Sequence, residues 1–164
     1  MRQVTAVFLA AGFAVACAAT AYAFEDNFVF RYTFDEAAGD TVEDIGGKGN
    51  DGMLMNGAKR VAGGKFDDAI EFDGGTAHIE TVTDVPEFDF TIALWIKTST
   101  PASGILSVLD GAAGAGGHDR HFYLQADAIC FRVWQGAGWC TEAEVTDDEW
   151  HHIALVAETG GGQR

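Results

Sequence analysis

Helical periodicity is missing from this sequence. No window repeats apolar residues at the three- and four-residue spacing of an amphipathic helix, which argues against an all-α or α/β fold. Proline is nearly absent: Pro86 and Pro101 are the two in 164 residues, and both fall between apolar runs, where a missing N–H is tolerated. Turns are left to 21 glycines. Basic residues are scarce as well, with 10 Lys and Arg against 25 Asp and Glu and a formal net charge of −15. That balance repels phosphate and anionic lipid, so neither nucleic acid nor a membrane surface is expected as a partner. The acidic residues are dispersed through turns, which suits solvation outside the cell or, for a few of them, Ca²⁺ ligation.

What is present divides the chain early. Arg2 is followed by the uncharged run "VTAVFLAAGFAVACAATA", then "AYA" at Ala21, Tyr22 and Ala23, with charge resuming at Glu25 and Asp26. This is the pattern of an export signal over residues 1–23, small residues marking the cleavage point and the mature chain starting near Phe24. An uncleaved anchor is the alternative, though a run so rich in Ala and Gly is only weakly hydrophobic; a lipid on Cys17 is a lesser one. About 140 residues follow, enough for one domain over 24–164, expected in a secreted, periplasmic or cell-surface setting with no membrane insertion.

Alternation with period two recurs along that domain. In "FVFRYTFD" Phe28, Phe30, Tyr32 and Phe34 share one face. Further strands are expected at 52–55, 69–72, 77–82, 90–97, 105–109, 121–125, 128–134, 139–145 and 151–157. About ten short strands predict an all-β chain folded as two antiparallel sheets face to face. "DGAAGAGGHDRH" (110–121) reads as a solvated loop. Two cysteines remain after the signal, and a hairpin centred on Gln135 sets Cys130 opposite Cys140. In an oxidising compartment the pair is expected to form a disulfide; two separate buried thiols are the alternative.

Taken in order, "YTFDEAAGDTVEDIGGKGNDGML", "GGKFDDAIEFDG", "FTIALWIKT" and "DDEWHHIALV" resemble the laminin-G-like, concanavalin-A-type jelly-roll domains of secreted proteins, over essentially the whole mature chain. The resemblance implies an antiparallel jelly-roll β-sandwich acting as a non-catalytic binding module, often for carbohydrate or glycoprotein, with structural Ca²⁺ in some members. After "WHHIALV" the family turns into a "YVDG"-like strand, whereas this sequence reaches "ETGGGQR" and stops. C-terminal strands are therefore expected to be missing, leaving an exposed, aggregation-prone edge.

Several residues invite chemistry. Asp44 and Asn50 in "EDIGGKGND" offer hard oxygens on a glycine-rich loop, and the resemblance favours Asp44 as a Ca²⁺ ligand; an Asx-type turn in which both bond their own backbone explains them equally well. Jelly-roll β-glucanases resemble this architecture, and "EAEVTD" puts Glu142, Glu144 and Asp147 near their catalytic spacing with the residue types exchanged. Glu142 and Glu144, two apart on a strand, would sit about 6.7 Å apart on one face. The polar turn reading of Asp147 argues against a glycoside hydrolase, and no catalytic residue is assigned. In "HDRH" (His118, Asp119, His121) the two histidines lack a third ligand for zinc within sequence reach, and the adjacent His151 and His152 point to opposite faces of a strand, so neither set is expected to hold a metal. For a ligand, Arg132 and Trp134 share the face of Cys130, opposite Phe131 and Val133, and Trp134 and Trp139 flank the hairpin tip. Arg132, Trp134 and Trp139 are thus the expected ligand-binding residues, whereas Trp95 and Trp150 are expected in the core. A structural cell-surface module with no saturable ligand is the third possibility.

Overall fold

A computed structural model describes residues 27–109, 118–133, 138–160 and 162–163; the expected signal segment and Trp134 lie outside them. The strands among these residues are β1 (Thr41–Val42), β2 (Gly52–Met55), β3 (Lys59–Ala62), β4 (Asp68–Glu71), β5 (His78–Thr81), β6 (Phe90–Ile96), β7 (Ala102–Leu109), β8 (His118–Gln125), β9 (Ala128–Arg132), β10 (Trp139–Glu144), β11 (His151–Glu158) and β12 (Gly162–Gln163). No helix occurs among the described residues, and every strand pairing is antiparallel.

Alternation decides what each strand buries. In β11, Ile153, Leu155 and Ala157 are at most 5% exposed while His152 and Ala154 face out. Its partner β6 places Ile92 and Leu94 opposite Leu155 and Ile153. These residues meet Phe122, Leu124, Ile129 and Phe131 of the four-stranded sheet β10-β9-β8-β7, and together they form the larger core. The sheet β12-β11-β6 and the sheet β10-β9-β8-β7 are thus the two layers of a sandwich, each apolar on its inner face. The preceding part of the chain makes a smaller sheet, β1-β2-β5, and a hairpin, β3-β4, around Val42, Leu54 and Ala58.

Three features depart from the sequence reading. The opening run keeps its expected face, since the rings of Phe30 and Tyr32 stack at 4.9 Å and Tyr32 and Phe34 pack on the smaller core, yet it forms no ladder. Its backbone is engaged instead by a loop: the Arg31 N–H donates to Asp44 Oδ1, the Ile45 N–H donates to the Arg31 carbonyl, and Phe34 turns to φ 70°. The β3 strand, "KRVA", carries too few apolar residues to signal itself. It is fixed by a tight turn in which a Cβ on Gly64 would lie 2.3 Å from the Asp68 carbonyl oxygen, so only glycine fits there. Trp95 is the third: it is 36% exposed on the outer face of β6, opposite His152, with Phe66 edge-on at 5.9 Å and Lys65 Nζ 4.7 Å from its ring centroid. The inner positions of β6 are already taken by Ile92, Leu94 and Ile96, which leaves Trp95 outside.

Candidate functional site

The outer face of the four-stranded sheet gathers the chemistry that the sequence scattered. Burial of Phe122 and Leu124 on β8, and of Ile129 and Phe131 on β9, turns the alternate residues outward. The register sets His121 opposite Arg132 and Tyr123 opposite Cys130, so these groups are neighbours on one surface. The His121 and Tyr123 rings stack with centroids 4.4 Å apart and planes 19° apart. On the far side Tyr123 faces Gly104 of β7, where an added Cβ would find its nearest heavy atom, His121 Nε2, 4.0 Å away. Gly104 thus leaves a side-chain-free position on β7 beside the two rings, bordered by the His121 imidazole. Beneath it, Cys130 is fully buried and joined by a disulfide to Cys140, its register partner, with Cα atoms 4.1 Å apart. The bridge fixes the β9–β10 register and hence the side on which Arg132 emerges. Replacing both cysteines by alanine is expected to lower stability by roughly 2–3 kcal/mol, the loop-closure value for a crosslink spanning ten residues, measured by urea unfolding; a change below about 0.5 kcal/mol would show the bridge to be idle.

Trp139 does not join this surface. The register that opposes Cys130 and Cys140 also opposes Phe131 and Trp139, so the indole lies on the core side, packed against the main cluster with its N–H buried and without an acceptor. It lines a cavity of about 280 Å³ between β10 and β11, with Ile129, Glu144 and His151. The expectation that Arg132 and Trp139 act together is corrected accordingly. Trp134, the third expected ligand residue, lies outside the described residues. Tyr123 was missed by the sequence reading, although the alternation in "HFYLQ" puts it on the face of His121.

The carboxylates of β10 are displaced from the arrangement that a straight strand would impose. The ladder shifts between Cys140 and Glu144, so Glu144 rather than Glu142 pairs with Ala128. Thr141 accommodates the shift, its hydroxyl accepting the Ile129 N–H at 3.3 Å in place of a backbone carbonyl. Both glutamates are exposed. Asp147 belongs to the turn before β11, where its Oδ1 accepts the Glu149 N–H at 3.0 Å and lies 2.8 Å from His151 Nε2. The bond from His151, followed by that from Glu149, holds the Asp147 carboxyl below its ordinary range.

The histidines separate as the alternation requires. His151 turns to Asp147, while His152 lies on the other face with its ring 5.2 Å from Trp95. Asp119 Oδ1 accepts the Arg120 N–H, and the side chain of His118 lies outside the described residues. Among the described residues no three His, Cys, Asp or Glu side chains gather closely enough to hold a metal ion.

Asp44 and Asn50 share a loop, but the geometry there is that of the turn, and it does not fit the Ca²⁺ expectation. Asp44 is 6% exposed, and its Oδ1 accepts the N–H groups of Arg31 (2.9 Å) and Gly46 (2.8 Å). Its Oδ2 accepts those of Lys48 (3.2 Å) and Asn50 (3.1 Å). Four donors occupy the lone-pair positions a cation would need. Asn50 directs its side-chain N–H to the Val29 carbonyl, and its own carbonyl accepts from the hydroxyls of Tyr32 and Thr81. Burial alone would raise the Asp44 carboxyl; the four N–H donors outweigh it and hold it below the ordinary value.

No curated protein and no solved structure gives a match to the chain. A family model described as the concanavalin A-like lectin/glucanases superfamily matches residues 73–164, the stretch from just before β5 to β12 that includes both layers of the sandwich. With more than half its length covered and an all-antiparallel sandwich in that stretch, the chain belongs to the concanavalin A-like lectin/glucanases superfamily and its sandwich is of the jelly-roll class.

Proposed function

We propose that this chain is an exported, non-catalytic recognition module whose ligand is a carbohydrate or an extracellular glycoprotein, held on the outer face of the β10-β9-β8-β7 sheet. The observation that carries the reading is the His121–Tyr123 stack beside Arg132, with the side-chain-free Gly104 opposite Tyr123. Aromatic faces hold the apolar side of a sugar ring, and a guanidinium donates paired hydrogen bonds to hydroxyl or carboxylate oxygens. Superfamily membership supports a lectin-like module. The disulfide suits an oxidising compartment, and no helix among the described residues is long and apolar enough to cross a membrane. Against a glycosidase stands the shifted ladder that interrupts the Glu142–Glu144 alternation, together with the engagement of Asp147 in its turn.

Glycan-array binding by the full chain tests the reading. Tyr123→Ala and Arg132→Ala are each expected to weaken binding at least about tenfold, the equivalent of losing one well-made contact. Binding that survives both substitutions unchanged would move the ligand elsewhere. Turnover of β-glucans that disappears in Glu142→Gln would overturn the non-catalytic reading altogether.

A further inference from the structure

We propose that the outer face of β2 and β5 is a binding site for a soft monovalent cation of the Cu(I) or Ag(I) type, held by Met53, Met55 and His78 with Glu80 beside them. The sequence supplies the first half of this arrangement. In "GMLM" the alternation that buries Leu54 turns Met53 and Met55 to the same side, so two thioethers lie side by side on one strand. These are the only methionines besides Met1. Neither serves as a core filler: Met53 is 45% exposed, and the smaller core is built from Val42, Leu54 and Ala58 instead.

The fold supplies the second half. The β2–β5 register sets Met55 opposite His78 and Met53 opposite Glu80, so an imidazole and a carboxylate face the two sulfurs across the ladder. His78 Nδ1 lies 2.8 Å from the Thr76 carbonyl, which can only accept, so Nδ1 carries the proton and Nε2 presents its lone pair. That Nε2 is buried and makes no hydrogen bond; its nearest ionic neighbour, Glu80 Oε2, is 3.9 Å away. A histidine whose one nitrogen is pinned to a backbone carbonyl while the other is left as a bare donor is in the form that ligates metals. On the same face an open cavity of about 380 Å³ is lined by Met53, Met55, Glu80 and Asp51. Neutral thioethers with one imidazole select a soft, singly charged ion over Ca²⁺ or Mg²⁺, which require oxygen, and over Zn²⁺, which favours thiolate and several imidazoles. Glu80 would balance the single positive charge. Binding is a simple association with no electron transfer.

The experiment is a titration of the full chain, in a Cys17→Ser background that removes the one cysteine outside the disulfide, with Ag(I) as a redox-silent probe. It is followed by the methionine methyl and histidine ring NMR signals. One equivalent of Ag(I) is expected to shift the Met53 and Met55 methyls and the His78 ring while leaving the Met1 methyl in place. Met53→Leu/Met55→Leu is expected to lower Ag(I) affinity at least about 100-fold and His78→Gln at least about tenfold. Methionine and leucine are close in volume and the sites face outward, so these variants should fold normally. Unmoved Met53 and Met55 methyls in the parent chain, undiminished affinity in the double leucine variant, or an equal methyl shift with Zn(II) would each overturn the proposal.

Discussion

Asp44→Ala is expected to destabilise the fold by about 3–4 kcal/mol, one of the two largest single-site effects in the molecule. The carboxylate accepts four backbone N–H groups from Arg31, Gly46, Lys48 and Asn50 while being 6% exposed. Hydrogen bonds to a charged acceptor contribute roughly 1.5–3 kcal/mol each, and part of that is recovered when an opened loop rehydrates. The same group makes the protein acid-sensitive. Its folded pKa lies below the unfolded value of 3.8, so its contribution is fully present above that value and is lost as pH falls through the folded one. Urea unfolding at neutral pH and again below pH 4 checks both points: Asp44→Asn should be less stable than the parent at neutral pH, and its stability should fall less steeply on acidification. An Asp44→Ala variant within about 1 kcal/mol of the parent would mean that the loop holds its shape without the carboxylate.

Phe131→Ala should lose about 3–5 kcal/mol, the range for emptying an aromatic site in a packed core. Phe131 is 1% exposed, and its ring lies 6.4 Å from Phe90 and 6.5 Å from Phe122, bridging the two layers of the sandwich. Its register partners are Phe122 on β8 and Trp139 on β10, so a cavity there loosens three strands at once. A functional consequence follows from the period of the strand. Burial of Phe131 on the core side is what sets Arg132 on the outer face, and a slip of one residue would exchange the faces. Ligand binding should therefore weaken in Phe131→Ala although Phe131 lies on the side away from the proposed ligand. Phe131→Leu, which retains much of the volume, should lose less on both measures. Equal stability losses for the alanine and leucine variants would argue against a packing role.

Much of the fold was legible because its signals are local. Alternation needs only a strand's own residues, and it identified β2, β6, β9 and β11 within one or two positions. The disulfide was legible for the same reason: ten residues separate Cys130 from Cys140, and one hairpin centre sets their register. The same register decides Trp139, since opposing 130 to 140 opposes 131 to 139 and puts the indole on the face of Phe131 despite its nearness to the hairpin tip. The first strand misled because alternating aromatics report a buried face without reporting a hydrogen-bonded neighbour. Phe30, Tyr32 and Phe34 have the face, while Asp44 and Ile45 take the backbone bonds.

What the amino-acid order determined by itself is the β class, the side of each strand that turns inward, and the pairing of two cysteines across one hairpin. Those properties follow from a two-residue period and from loops too short to permit other partners. The tertiary structure decided which outward residues meet: His121 and Tyr123 with Arg132, Met55 with His78, and Asp44 with four amides of its own and a preceding segment. Such meetings depend on the register between strands and on where a ladder shifts, as at Thr141. Outside the short β9–β10 connection, register is a sum over long-range contacts, and no short stretch of sequence carries it.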